Sequence, residues 1–272
     1  MGKNKIKVGI IGCGTIGSQI ARACSGRLKG KVALSALCDA DRKKCETLKN
    51  SLKSKTPILS IDGIIKKCDF IIEAASASIS ADVLKKCIAQ KKDCLVMSTG
   101  GLLDNTALLA RAGKKGVRVF VPSGALCGID GLKSANIGGI KKVTLTTRKP
   151  PKGLAGAPYV VSQKIDLGSI NRDTVIFEGS AEDAVKGFPQ NVNVAAVLSL
   201  AGIGARKTRV RIIATPGSAA NIHEVEIVGE SGRITTRSEN VPSKANPKTS
   251  ALAVYSAIAT LEGAVSPVRI GT

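Results

Sequence analysis

Two patterns in this sequence can do chemistry: a glycine-rich turn near its start and one histidine far from it. Gly12-Cys13-Gly14-Thr15-Ile16-Gly17 follows an apolar strand-like run, residues 8–11, and precedes a helix-patterned stretch. In that context each glycine has a physical use. Gly12 permits a tight turn, Gly14 lets the backbone approach a pyrophosphate, and Gly17 allows close helix–sheet packing. Thr15 and Ile16 would open the helix, whose N-terminal N–H groups and dipole favour phosphate. Asp39 closes the next strand, 25 residues beyond Gly14. A carboxylate there suits the adenosine ribose hydroxyls and favours NAD. Arg42 keeps NADP open, because a guanidinium can receive a 2′-phosphate. Asp41 reads as the start of the following helix.

His223 is the only imidazole in the chain. It begins the strand-patterned NIHEVEIV, where Asn221, His223, Val225 and Ile227 share one face and Glu224 and Glu226 the other. An isolated histidine on an apolar face is most often a hydrogen-bonded core residue. Beside a dinucleotide motif the catalytic reading gains weight, because imidazole titrates near neutral pH and hydride chemistry on such substrates needs a base.

The elements that must position these residues are legible in outline. Residues 5–121 alternate apolar runs (6–11, 32–38, 70–73, 95–97, 117–121) with amphipathic stretches (16–28, 81–90, 105–114). Apolar strands separated by helices indicate a parallel sheet covered on both faces, a doubly wound Rossmann domain. After Pro122 the pattern changes. Residues 143–149, 208–214, 222–228 and 233–237 alternate like half-buried strands, with helices around 181–187 and 192–201. Ser180 and Asp183 form a capping-box signal, and 150–158 reads as a Gly/Pro-rich surface loop. The expected organisation is therefore α/β: a dinucleotide-binding domain over 1–122, an α+β catalytic and dimerisation domain over 123–245, and a C-terminal segment, 246–272. The last helix, 249–261, is expected to pack back on the first domain.

Composition narrows the class. The chain has 272 residues, 43% of them hydrophobic and only 2% aromatic, so the core must be aliphatic. No apolar run approaches the ~18 residues of a membrane span. Eight cysteines include no C-x-x-C pair, which argues against a metal site and reads as small buried hydrophobes in a reducing, cytoplasmic setting. The net charge is +21, of which +14 falls in residues 1–125. Lysine doublets such as Lys43-Lys44 and Lys85-Lys86 sit near expected helix ends, where cations complement the dipole. This reads as a solvated basic surface and not a nucleic-acid stripe, which would carry clustered aromatic or arginine platforms.

Longer segments carry a resemblance. Glu73-Ala74-Ala75-Ser76, Pro122-Ser123-Gly124-Ala125, Thr147-Arg148-Lys149-Pro150-Pro151, Phe188-Pro189-Gln190-Asn191-Val192-Asn193, Asn221-Ile222-His223-Glu224 and Asn246-Pro247-Lys248-Thr249-Ser250 occur in the order and spacing of the archaeal and bacterial L-aspartate dehydrogenases. The chain resembles that family over essentially its whole length. The resemblance implies a homodimer that oxidises L-aspartate with NAD or NADP to iminosuccinate, hydrolysed to oxaloacetate and ammonia or used in pyridine nucleotide biosynthesis. It implies His223 as the active-site residue. It also implies cofactor contacts at Ala75, Ser76, the Ala125 N–H, and either Asn191 or Asn193. Arg148, Lys149 and Lys248 are candidates, by chemistry alone, for the substrate carboxylates. Cys127 departs from the family, which commonly has a small non-thiol residue there. Two rivals remain: a phosphorylating semialdehyde dehydrogenase using Cys127 as nucleophile with His223 as base, and a basic nucleic-acid-binding Rossmann protein.

Overall fold

The computed structural model describes residues 5–189, 192–243 and 246–271. They form two compact units: Met1–Pro122 with Val254–Arg269, and Ser123–Ala253 with Ile270–Thr272.

The first unit holds β1 (Ile6–Ile11), α1 (Thr15–Ser25), β2 (Val32–Cys38), α2 (Arg42–Ser51), α3 (Ile61–Lys67), β3 (Phe70–Glu73), α4 (Ala77–Ala89), β4 (Asp93–Val96), α5 (Thr106–Lys114) and β5 (Val119–Phe120). The five strands are parallel in the order β2-β1-β3-β4-β5. A single parallel rung, Leu37 to Ile58, continues the sheet beyond β2. With it the order becomes that of a dinucleotide-binding Rossmann sheet, with the chain reversing direction across the sheet between β1 and β3. All four residues of β3 are buried, as a strand covered on both faces requires.

The second unit holds α6 (Ile129–Gly138), β6 (Ile140–Lys149), α7 (Pro158–Ser162), β7 (Thr174–Ser180), α8 (Ala181–Gly187), α9 (Val192–Ala201), β8 (Arg209–Ala214), β9 (Asn221–Gly229), β10 (Gly232–Asn240), β11 (Pro242–Ser243) and β12 (Asn246–Ser250). Its main sheet is mixed, in the order β10-β9-β6-β8-β7, with only β6 and β8 parallel. Helices cover one face, where Leu132, Val160, Ala184 and Leu198 meet Leu145, Ile212 and Val225. Three of the chain's six aromatics gather here. Tyr159, Phe177 and Phe188 lie 5.2–5.6 Å apart between ring centroids.

Three local expectations need correcting. The segment 150–158 is not a plain surface loop: Pro151–Leu154 forms a 3-10 turn that buries Leu154, and Pro158 opens α7 at the position where a missing N–H costs nothing. Strand β7 escaped notice because Gly179 interrupts its pattern; a Cβ there would meet the Phe177 ring at 2.7 Å. The final helix, α10 (Ala251–Ala264), starts two residues late because Asn246–Ser250 is spent on pairing with β11.

Ala257 and Leu261 of α10 are fully buried in the first unit's core, with Val8, Ile10, Ile20 and Ile72. Leu261→Ala should cost about 2–5 kcal/mol, the usual penalty for a cavity in a packed core. Tyr255→Ala, at an exposed position of the same helix, should stay within about 0.5 kcal/mol. Equal effects in urea denaturation would mean that α10 is not seated in that core.

Candidate active site

In the first unit, the expected cofactor residues collect at the carboxyl ends of β1, β2 and β3. Gly12 has a φ of +96°, and a Cβ on it would lie 2.4 Å from the Ala74 carbonyl. A Cβ on Gly17 would strike the Gly12 carbonyl at 1.8 Å. The turn therefore closes only with glycine at both places. Gly14 differs, since nothing lies within 4 Å of its Cβ position. Thr15 and Ile16 form the first turn of α1, which has no side-chain cap and no acidic residue in that turn. Open space beside an uncapped helix start suits a pyrophosphate, so the residues present fit a dinucleotide.

Asp39 does more than its position suggested. Its Oδ2 accepts from the Cys13 N–H at 2.7 Å and its Oδ1 from the Asp41 N–H at 2.9 Å. The carboxylate thus clamps the glycine turn to the end of β2, and its remaining lone pairs can still receive ribose hydroxyls. Asp41 caps α2, accepting from Lys43 N–H. Arg42 pairs with Glu46 on the exposed face of α2. Cys13 lies 3.4 Å from Cys45, Sγ to Sγ, and burial pushes its thiol well above the usual range.

Ala75 and Ser76 are exposed after β3. The Ala75 N–H donates to Glu73 Oε1 at 2.8 Å, so that N–H is committed to the fold. Glu73 is fully buried and also accepts from the Ser98 N–H at 3.1 Å and hydroxyl at 2.9 Å. Burial raises its pKa, and these bonds pull against that rise. Nothing in the sequence pattern set Glu73 apart beyond its place in the motif.

In the second unit, His223 is 5% exposed, and its Nδ1 lies 3.0 Å from Thr147 Oγ1. The two residues are directly opposite on β9 and β6. Ser238, opposite His223 on β10, donates from its hydroxyl to the Ala125 carbonyl at 2.9 Å. Asn240 Nδ2 donates to the same carbonyl at 3.1 Å. Ala125 and His223 are thereby joined through β10. Asn193 is exposed at the start of α9, and Asn191 lies outside the described residues.

Strand alternation separates two of the three cations considered for substrate carboxylates. Arg148 lies on the outer face, paired with Asp173 and Glu224. Lys149 lies on the inner face with Thr147, and burial lowers its pKa to about 8. The structure gives no side-chain placement for Lys248. Burial, and then the charge of Lys149, lowers His223 to about 4. The dry ring therefore gives up its proton below the usual imidazole range. Cys127, expected to be packed, is exposed, with its Sγ 3.7 Å from the Arg237 carbonyl. A hollow of about 350 Å³ opens on the outer face of the same sheet, but its walls carry mutually paired charges, such as Lys142 with Glu226 and Arg211 with Glu178. Among the described residues no His/Cys/Asp/Glu group could hold a metal ion, and no helix is long and apolar enough to cross a membrane.

Comparison with known proteins adds to this geometry. Residues 130–264 match the family "Aspartate dehydrogenase, C-terminal", and residues 12–122 match "Homoserine dehydrogenase, NAD binding domain". The chain is 47% identical to an L-aspartate dehydrogenase of Methanosarcina acetivorans over 98% of this chain and 100% of that one. It is 38% identical to one from Bradyrhizobium diazoefficiens, over 99% and 95%. The crystal structure of aspartate dehydrogenase from Thermotoga maritima superposes with a TM-score of 0.76 at 28% identity, covering 98% and 100% of the two chains. A scyllo-inositol dehydrogenase from Lactobacillus casei, with a TM-score of 0.59 at 13% identity, shares the fold alone.

Two measurements check the geometry. Asp39→Ala should weaken NAD binding about tenfold or more in a fluorescence titration, by loss of a charged acceptor. NADP should suffer less, through the loosened turn only, and unchanged NAD affinity would remove Asp39 from the site. The second concerns pH. The folded protein holds fewer protons at His223 than the unfolded chain, whose pKa is near 6.5. This contribution is full above pH 6.5 and is lost as pH falls toward about 4, up to about 3 kcal/mol in all. His223→Asn should flatten that part of the stability profile, and an unaltered slope would contradict the buried neutral ring.

Proposed function

The chain belongs to the L-aspartate dehydrogenase family, and on that premise we propose that it oxidises L-aspartate to iminosuccinate with NAD as the preferred hydride acceptor. Iminosuccinate then hydrolyses to oxaloacetate and ammonia or enters NAD biosynthesis, and NADP serves as an alternative acceptor. The observation that carries this reading is the match along 98% of the chain at 47% identity. The working form is a homodimer in the cytoplasm. The positive charge of the chain has a use here, since it draws an anionic dicarboxylate and a dinucleotide toward the protein.

A bound nicotinamide supplies the hydride acceptor, and the chain's own residues do the rest. Gly12, Gly14, Gly17, Thr15 and Ile16 hold the pyrophosphate, and Asp39 the adenosine ribose. Ala75, Ser76, Ala125 and one of Asn191 and Asn193 complete the cofactor contacts. His223 acts on the substrate. Thr147 occupies its Nδ1, which leaves Nε2 for aspartate. A neutral ring held in one orientation can hydrogen-bond the substrate without reorganising during reaction. Cys127 has no part in this scheme, and the full-length match to L-aspartate dehydrogenases weighs against the thiol rival.

Turnover of L-aspartate with NAD, followed by nicotinamide absorbance, is the direct test; none would sink the reading. His223→Ala and His223→Asn should each lower kcat by about 10²–10⁴-fold, the range for loss of a group engaged in proton transfer. Cofactor affinity should change little. If both variants stay within a few-fold of the parent, His223 is a structural residue.

A further inference from the structure

The central strand of the first sheet ends on a residue that its neighbours do not call for. β3 reads Phe70, Ile71, Ile72, Glu73, and all four side chains are buried. Register sets Glu73 between Ile11 of β1 and Val96 of β4, where a strand covered on both faces would carry an aliphatic side chain. A carboxyl group there is costly unless donors meet its oxygens. Two loops supply them. Oε1 accepts the Ala75 N–H at 2.8 Å and the Ser98 hydroxyl at 2.9 Å, and Oε2 accepts the Ser98 N–H at 3.1 Å. Each oxygen thus takes one backbone N–H, one from the loop after β3 and one from the loop after β4.

These loops leave little room for movement around the glycine turn. Ala74 donates its N–H to the Ile11 carbonyl at 2.8 Å, and a Cβ on Gly12 would lie 2.7 Å from the Ala75 nitrogen. In the loop after β4, a Cβ on Gly101 would lie 2.1 Å from the Ala77 carbonyl oxygen and 2.2 Å from Ser80 Oγ. Residues 74–77 are therefore packed between the glycine turn on one side and residue 101 on the other. Glu73 is the side chain that bonds this segment to the loop after β4.

We propose that Glu73 is a positioning residue for the dinucleotide: it holds Ala75 and Ser76 in place beside the glycine turn and so sets NAD affinity without touching the cofactor. The proposal rests on the reading of Ala75 and Ser76, both exposed, as cofactor contacts. The Ala75 N–H faces Glu73, so the loop meets a dinucleotide with its outer side. A carboxyl group suits this task where an amide of the same shape does not. In a glutamine, one of the two acceptors becomes an NH2 group, and either orientation sets it against a backbone N–H. The loop must then shift or bury an unmet donor, and its contact with Gly12 passes any shift on to the turn.

The test uses the full-length protein, NAD and L-aspartate. Glu73→Gln should weaken NAD binding about tenfold or more in a fluorescence titration, with the KM for NAD rising in step. The KM for aspartate at saturating NAD, and kcat, should stay within a few-fold of the parent. Ser98→Ala removes only the hydroxyl donor, and should weaken NAD about threefold even where the glutamine variant does not fold. Leu261→Ala supplies the control, since its cavity in the same unit's core lowers the urea midpoint by another route. NAD affinity unchanged in the Glu73 and Ser98 variants, with the urea midpoint lowered as in Leu261→Ala, would make Glu73 a tie of the fold alone and overturn the assignment. A KM for aspartate that rises as much as the KM for NAD would overturn it too, because the effect would not be confined to the cofactor. A parent that binds no NAD refutes the underlying cofactor reading instead, so the two failures are distinguishable.

Discussion

A carboxylate removed from water must be met by donors inside the fold, and in the first unit that obligation falls on Glu73. Its partners are the Ala75 N–H and both donors of Ser98, so one side chain ties the end of β3 to the end of β4. The segment it fixes, residues 74–75, is the one whose backbone Gly12 approaches too closely for any other residue. The glycine turn is therefore seated on a loop that is itself held by a buried carboxyl group. On the other side Asp39 grips the Cys13 N–H. The shape of the phosphate cradle is set between two carboxylates that bind backbone, before any ligand arrives. Such preorganisation lowers the cost of ordering a loop on binding.

The second unit solves a related problem with neutral groups. His223 is nearly dry, yet its ring is satisfied by Thr147, and the strand beyond it carries Ser238 and Asn240 to the Ala125 carbonyl. Dryness and satisfaction together determine which protonation states are available. Burial lowers the pKa of the imidazole, and it lowers that of Lys149, two residues past Thr147, as well. Chemistry is thus apportioned by burial more than by residue type.

The sequence made the strands of the first unit readable because they are continuous apolar runs between amphipathic stretches. The strands 6–11, 32–38 and 70–73 coincide with β1, β2 and β3, and in the second unit Ser180 caps α8 through the Asp183 N–H as its spacing indicated. What stayed hidden depends on contacts distant in sequence. The burial of Leu154, the pairing of β7 and the helicity of the glycine-bearing α6 are fixed by packing, which no local pattern records. The same holds for the site. His223 stood out as the sole imidazole, whereas its depressed basicity comes from a dry sheet face. Arg148 and Lys149 are adjacent and looked equivalent, but strand alternation sends one to paired carboxylates outside and the other to the core face.

The first unit leaves its own sequence at Pro122 and recovers it only at Val254, with the second unit nested between. Its core is incomplete without Ala257 and Leu261. A ribosome therefore delivers the whole Rossmann sheet, and then the whole second unit, before the helix that seals the first appears. Until then the nascent sheet carries an uncovered apolar strip, the kind of surface that makes partly folded chains prone to aggregation. Closing so long an excursion costs little more entropy than a short one, because loop entropy grows only logarithmically with length. The delay is therefore one of timing, and a helix made after the whole second unit completes the core of the sheet made before it.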